Sequence, residues 1–74
     1  MFKEKQIAKY QDENYKIELV RLAKVELKNG INSMVIRYQV RMNRKRIQTS
    51  ISEYTMRKLF AIYVQNIVLQ LKIF

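Results

Sequence analysis

Alternate positions carry Arg37, Gln39 and Arg41, then Arg46, Gln48 and Ser50, with Arg44 and Lys45 between the two runs. A guanidinium grips a phosphate or a guanine edge through paired hydrogen bonds, and a primary amide matches the adenine edge in the same way. Spacing of two residues puts each run on one face of a strand. Two such strands joined by a short turn make a flat ribbon, a shape that fits the major groove of B-DNA. Arg44 and Lys45 at the turn, with Arg57 and Lys58 further along, would hold phosphates and set the ribbon's register. The candidate nucleic-acid-binding set is therefore Arg37, Gln39, Arg41, Arg44, Lys45, Arg46, Gln48, Arg57 and Lys58.

The charge distribution points the same way. The chain has 74 residues and a net charge of +9. Residues 1–36 contribute only +2, whereas residues 37–58 contribute +6, with Glu53 as their one acid. Charge this concentrated repels itself within a fold and attracts polyanions.

Other chemistry lacks its parts. There is no histidine and no cysteine, so the commonest general base, the commonest metal ligand and any thiolate site are missing. The carboxylates Glu4, Asp12, Glu13, Glu18, Glu26 and Glu53 do not recur at a metal-ligand or acid–base spacing. Ser33, Ser50 and Ser52 have no base to activate them, and no glycine-rich loop is present to cradle a nucleotide. The expectation is a protein that is not an enzyme and uses no cofactor or metal.

Three strands and a helix suffice to position the basic ribbon. From residue 15 to residue 28 the odd positions Tyr15, Ile17, Leu19, Ala23, Val25 and Leu27 are apolar, with Arg21 the exception. Lys16, Glu18, Lys24, Glu26 and Lys28 fill most even positions, so the period is that of a strand. Asn29-Gly30 is a strong two-residue hairpin signal. Closing that turn with Lys28 opposite Ile31 sets Val25 against Met34, Ala23 against Ile36, Leu19 against Val40 and Ile17 against Met42. Arg21 then meets Tyr38, where a cation can lie along the ring, and Glu18 meets Arg41. A slip of one residue would destroy every match. A loop over residues 42–45 would bring back a third strand. Val40 would then face Ile47, Tyr38 Thr49, Arg41 Arg46, Gln39 Gln48 and Arg37 Ser50.

Ser52 can cap a helix that starts at Glu53, where an acid suits the first turn. Met56, Leu59, Phe60, Tyr63, Ile67, Leu71 and Phe74 would meet the sheet, while Ile62, Val64, Val68, Leu69 and Ile73 point elsewhere. A helix apolar on several sides is covered on several sides, so a second copy of the chain is expected against it. The rival arrangement ends the helix near Asn66 and makes residues 67–74 a further strand. Residues 1–14 read as a polar arm or a short helix, with Phe2, Ile7 and Tyr10 on one side. The expected fold class is thus α+β. One domain spans 1–74: an arm or short helix to residue 14, a three-stranded antiparallel meander over 15–52 and a C-terminal helix over 53–74.

The segment Ile36-Arg37-Tyr38-Gln39-Val40-Arg41 with Arg44-Lys45-Arg46 resembles the second strand and basic turn of two related DNA-binding domains. These are the arm-type domain of tyrosine recombinases and the plant AP2-type domain. The resemblance covers about half the chain and implies a sheet lying in the major groove; the glycine usual in that family's turn is replaced here. With an N-terminal helix, the order helix, three strands, helix also resembles a double-stranded-RNA-binding domain, whose loop histidine has no counterpart in this chain.

The leading expectation is a small basic protein that binds nucleic acid, with duplex DNA favoured over RNA. It would act as a dimeric regulator or recombination accessory factor. The alternative is a protein-binding module or small inhibitor that docks through the C-terminal helix and a patch of Val20, Leu22 and Val35. Binding to a membrane surface ranks last, since the basic residues are not on the apolar helix. The start of the chain has no apolar run and residues 59–74 are too polar to span a bilayer, so the expected location is the cytoplasm.

Overall fold

A computed structural model describes the backbone of residues 2–73 and the side chains of residues 2–69. It contains β1 (Lys3–Gln11), β2 (Lys16–Lys28), β3 (Ile31–Met42), β4 (Lys45–Ser50) and α1 (Glu53–Ile73). The strands form one antiparallel sheet in the order β1-β2-β3-β4. The fold is α+β with one C-terminal helix, as expected, but the sheet has four strands, not three.

The additional strand comes from the N-terminal segment, where an arm or short helix was expected. Residues 3–11 pair with β2 from Lys3 opposite Ala23 to Gln11 opposite Lys16. Free edges of sheets hold unpaired backbone groups, and β1 satisfies those of β2. A bulge between Gln6 and Ala8 hides the strand's alternation, because Ile7 is the extra residue. Ile7, Ala8 and Tyr10 all reach the core as a result. The helix, three strands, helix order of a double-stranded-RNA-binding domain is therefore not present among the described residues.

The β2–β3 hairpin has the register read from its apolar matches, from Lys28 opposite Ile31 to Ile17 opposite Met42. Asn29 and Gly30 have φ of 51° and 75°, which makes the type I′ turn their identities demand. The β3–β4 connection is tighter than expected. It is a second two-residue turn, with Asn43 at φ 50° and Arg44 at φ 70°, closed by Met42 opposite Lys45. Arg41 faces Arg46 as expected. A bulge at Ile47 then slips the register, so Val40 meets Gln48, Gln39 meets Thr49 and Tyr38 meets Ser50. The slip lets Ile47 reach the core and moves Gln48 to the helix side, where it shares a groove with Tyr54, Lys58 and Ile62.

Helix α1 is continuous from Glu53 to Ile73, so residues 67–73 are not a strand. The Ser52 hydroxyl accepts a hydrogen bond from Thr55 N–H at 3.2 Å and caps the first turn. Positions 56, 59, 60, 63, 64 and 67 follow a helical stripe, and the helix lays them on β2, β3 and β4. Ile17, Leu19, Val40 and Met56 are fully buried and Ile67 nearly so. Val64 joins this face, although the spacing had placed it elsewhere. The expected contacts of Leu71, Ile73 and Phe74 lie outside the described side chains.

The hairpin outruns the rest of the sheet. β1 stops at Ala23 and β4 at Tyr38, so beyond them β2 and β3 continue as two strands alone. The chain measures 58 × 20 × 15 Å with a radius of gyration of 15.0 Å. A compact chain of this length would have a radius of about 11 Å. Among the described residues, no helix is long and apolar enough to cross a membrane.

Candidate nucleic-acid interface

Arg37, Gln39 and Arg41 alternate on the sheet face opposite the helix, and Arg46 joins them across from Arg41. The structure brings these four together, but they are not equally free. Gln39 is 7% exposed and donates through Nε2 to Thr49 Oγ1 at 3.0 Å. Its Oε1 accepts from Arg41 Nε, so both ends of the amide are engaged within the sheet. Arg41 also donates through Nη2 and Nη1 to the two carboxylate oxygens of Glu4, at 2.6 and 3.2 Å. Glu18 faces Arg41 in register, yet the guanidinium bonds Glu4, and Glu18 accepts from Gln6 instead.

These bonds blanket the apolar residues of this face. Val20 is 3% exposed and Leu22 is 8% exposed, so the patch expected there is not on the surface. Glu4, Gln6, Gln39 and Arg41 close over it, because the cross-strand partners of Val20 are Gln6 and Gln39. Val20 and Leu22 therefore do not form an exposed patch, and Val35, the third residue expected in it, is half-buried.

Arg37, Arg44, Lys45 and Arg46 are exposed. None has a carboxylate within ion-pair reach among the described residues. Four of the five glutamates are already engaged: Glu18 with Lys16, Glu26 with Lys24, Glu4 with Arg41 and Glu53 with Arg57, while the exposed Glu13 makes no ion pair among the described residues. Asp12 is occupied as well. It accepts from the Asn14 and Tyr15 amides at 2.8 and 2.7 Å, and those bonds hold its carboxyl below the usual range. Asn43 anchors the basic turn by donating its backbone amide to Lys16 O at 2.8 Å while its Oδ1 accepts from Lys16 N–H at 2.9 Å.

The remaining members of the set lie on the helix side. Lys58 sits 4.5 Å from the centre of the Tyr54 ring, beside the groove that Gln48 lines. Arg57 donates to Glu53 at 3.0 Å. Cation–ring contacts among the described residues are those of Lys58 and of Lys24 over Phe2, so Arg21 does not stack on Tyr38 as its position suggested. Two cations that share a groove with Arg57, Lys5 and Arg21, escape a reading based on alternation within β3 and β4. Their signal is present in Arg21, the one charged residue in the odd positions of β2. Among the described residues no cluster of acidic side chains could hold a metal ion.

Comparison with known protein families, characterised proteins and solved structures finds no match.

Proposed function

We propose that the chain binds nucleic acid through phosphate contacts from Arg37, Arg44, Lys45 and Arg46, with Arg41 at the centre of the patch. The observation that carries this reading is their freedom from internal counter-ions, since four of the five glutamates are spent on other cations and Glu13 pairs with none of these residues. A protein that engages its acids elsewhere and leaves one end basic presents a surface for counterion exchange with a polyanion. The burial of Gln39 makes the contact one of backbone and shape more than of base edges. Duplex DNA is the favoured partner because its regular phosphate rows suit a stiff, flat strand pair. Such binding suits a regulator or recombination accessory factor. A homodimer is supported by the exposed Ile62 and Leu69 of α1.

Fluorescence anisotropy with labelled duplex DNA, duplex RNA and single strands, each at two salt concentrations, tests the proposal. Micromolar binding to duplex DNA that weakens steeply with salt is expected. Absence of binding to all of them would overturn it.

A protein-binding role is the second reading, and the projecting hairpin favours it. Val25, Leu27, Ile31 and Met34 are 62%, 70%, 69% and 63% exposed. An uncovered two-stranded ribbon is marginal in water, so a partner over these residues would stabilise it. A defined protein retained after nuclease treatment in high salt, and no longer retained by Leu27→Ser, would support this reading.

A further inference from the structure

Arg21 interrupts an otherwise apolar row on the helix-facing side of β2. The register puts it between Lys5 of β1 and Tyr38 of β3, and Tyr38 is paired in turn with Ser50 of β4. One residue from each strand therefore forms a transverse line, and the first turn of α1 closes over it with Glu53 and Arg57. Between them is an open groove of about 500 Å³.

This groove holds an electrostatic imbalance. Lys5 and Arg21 are directly opposed like charges, an arrangement unfavourable in a bare sheet. Neither makes an ion pair or a side-chain hydrogen bond among the described residues. Glu53 is the groove's one carboxylate, and Arg57 already holds it. Lys5, Arg21 and Arg57 against Glu53 leave two uncompensated positive charges. Arg21 is half-buried and lines the groove.

We propose that this groove binds a phosphate group. Arg21 and Lys5 are the principal ligands, Arg57 contributes from the helix and Tyr38 forms the wall. A phosphate monoester or free phosphate carries about −1.5 to −2 charges near neutral pH, which matches the groove, whereas a backbone diester carries less. The planar donors of arginine suit its oxygens. Glu53 acts as an internal competitor for Arg57. The site lies on the helix side, away from Arg37 and Arg46, and does not rest on the nucleic-acid reading. The phosphate is either free or the terminal phosphate of a strand.

The test is nuclear magnetic resonance on the isotope-labelled full chain, following the Nε–H signals of Arg21 and Arg57. Three probes are titrated: inorganic phosphate, a duplex with 5′-phosphates and the same duplex without them. Saturable movement of the Arg21 signal by inorganic phosphate is expected, and by the duplex only when it carries 5′-phosphates if the source is a strand end. Arg21→Leu and the exposed-edge variant Lys5→Gln should each weaken binding about tenfold, the effect of removing one charge-assisted hydrogen bond. Glu53→Gln should tighten it. Arg21→Leu should also raise the melting temperature, because leucine completes the apolar row, so weaker binding could not be blamed on unfolding. An Arg21 signal that no probe moves, or unchanged midpoints in Arg21→Leu and Lys5→Gln, would overturn the proposal. Duplex binding through Arg44–Arg46 would be unaffected by that failure.

Discussion

The two carboxylate oxygens of Glu4 bind the two terminal nitrogens of Arg41 across the full width of the central strand. Glu4 is paired with Leu22 and Arg41 with Glu18, so the bridge joins β1 to β3 over the residue between those rows, Val20. Val20 is consequently 3% exposed on a face that has no helix. The most central arginine of the basic ribbon is thus also a lid over an apolar residue.

Replacing Glu4 should separate these two roles. Glu4→Ala removes the lid's anchor and uncovers Val20, so the melting temperature should fall. The same change frees Arg41 and adds one positive charge, so affinity for duplex DNA at low salt should rise. Thermal melts and anisotropy on one preparation would check both directions.

Acid should destabilise the fold in a defined window. Arg41 holds the Glu4 carboxyl below its ordinary value, backbone amides do so for Asp12, and Arg57 followed by Tyr38 does so for Glu53. A carboxyl lowered in the folded state adds stability that is complete above its unfolded value and disappears as pH falls through the folded one. Urea midpoints should be flat from neutral pH to about 5.5 and drop below the ordinary carboxylate values of 3.8 to 4.5. Glu4→Gln should make that drop shallower.

Met56 is the helix residue most deeply committed to the sheet, with no exposed surface. Truncation to alanine should cost about 2–5 kcal/mol, a large share of the stability of so small a domain. Met56→Leu, which conserves volume, should cost less than about 1.5 kcal/mol. Chemical denaturation followed by circular dichroism distinguishes the two.

The two type I′ turns predict opposite responses. Arg44 adopts a left-handed φ of 70°, which disfavours any residue with a side chain, so Arg44→Gly should add up to about 1 kcal/mol. Gly30 has φ 75° and open space around it, so Gly30→Ala should lower stability by about 1 kcal/mol through backbone strain alone. Arg44→Gly should at the same time weaken duplex binding, because stability and charge part company at that position.

Neutralising the tip tests the phosphate reading most directly. Arg44→Gln, Lys45→Gln and Arg46→Gln together should make the slope of log K against log salt shallower by about 0.9 for each phosphate no longer neutralised. Gln39→Met, at a buried position, should lower stability and leave any base preference unchanged.

The sequence by itself determined the β2–β3 hairpin and the helix, because both are encoded by neighbours. Asn29-Gly30 sets the turn, period-two alternation sets the faces, and each apolar residue has one partner row; Ser52 and the spacing from Met56 to Ile67 mark out the helix in the same local way. Much of the basic surface was legible for the same reason, since Arg37, Arg41 and Arg46 keep their phase on either side of the turn. Tertiary structure alone decided the rest. Bulges at Ile7 and Ile47 each shift the alternation by one residue, concealing β1 and carrying Gln48 to the other face. The burial of Val20 and Leu22, and the tethering of Gln39 and Arg41, arise from side chains of all four strands meeting across the sheet. Arg21 and Lys5 stand 16 residues apart in the chain and adjoin only because β1 pairs with β2. Periodicity reports what one strand does with its own neighbours; a bulge or a bridge between nonadjacent strands depends on which segments pair, and pairing is settled only when the whole sheet closes against its helix.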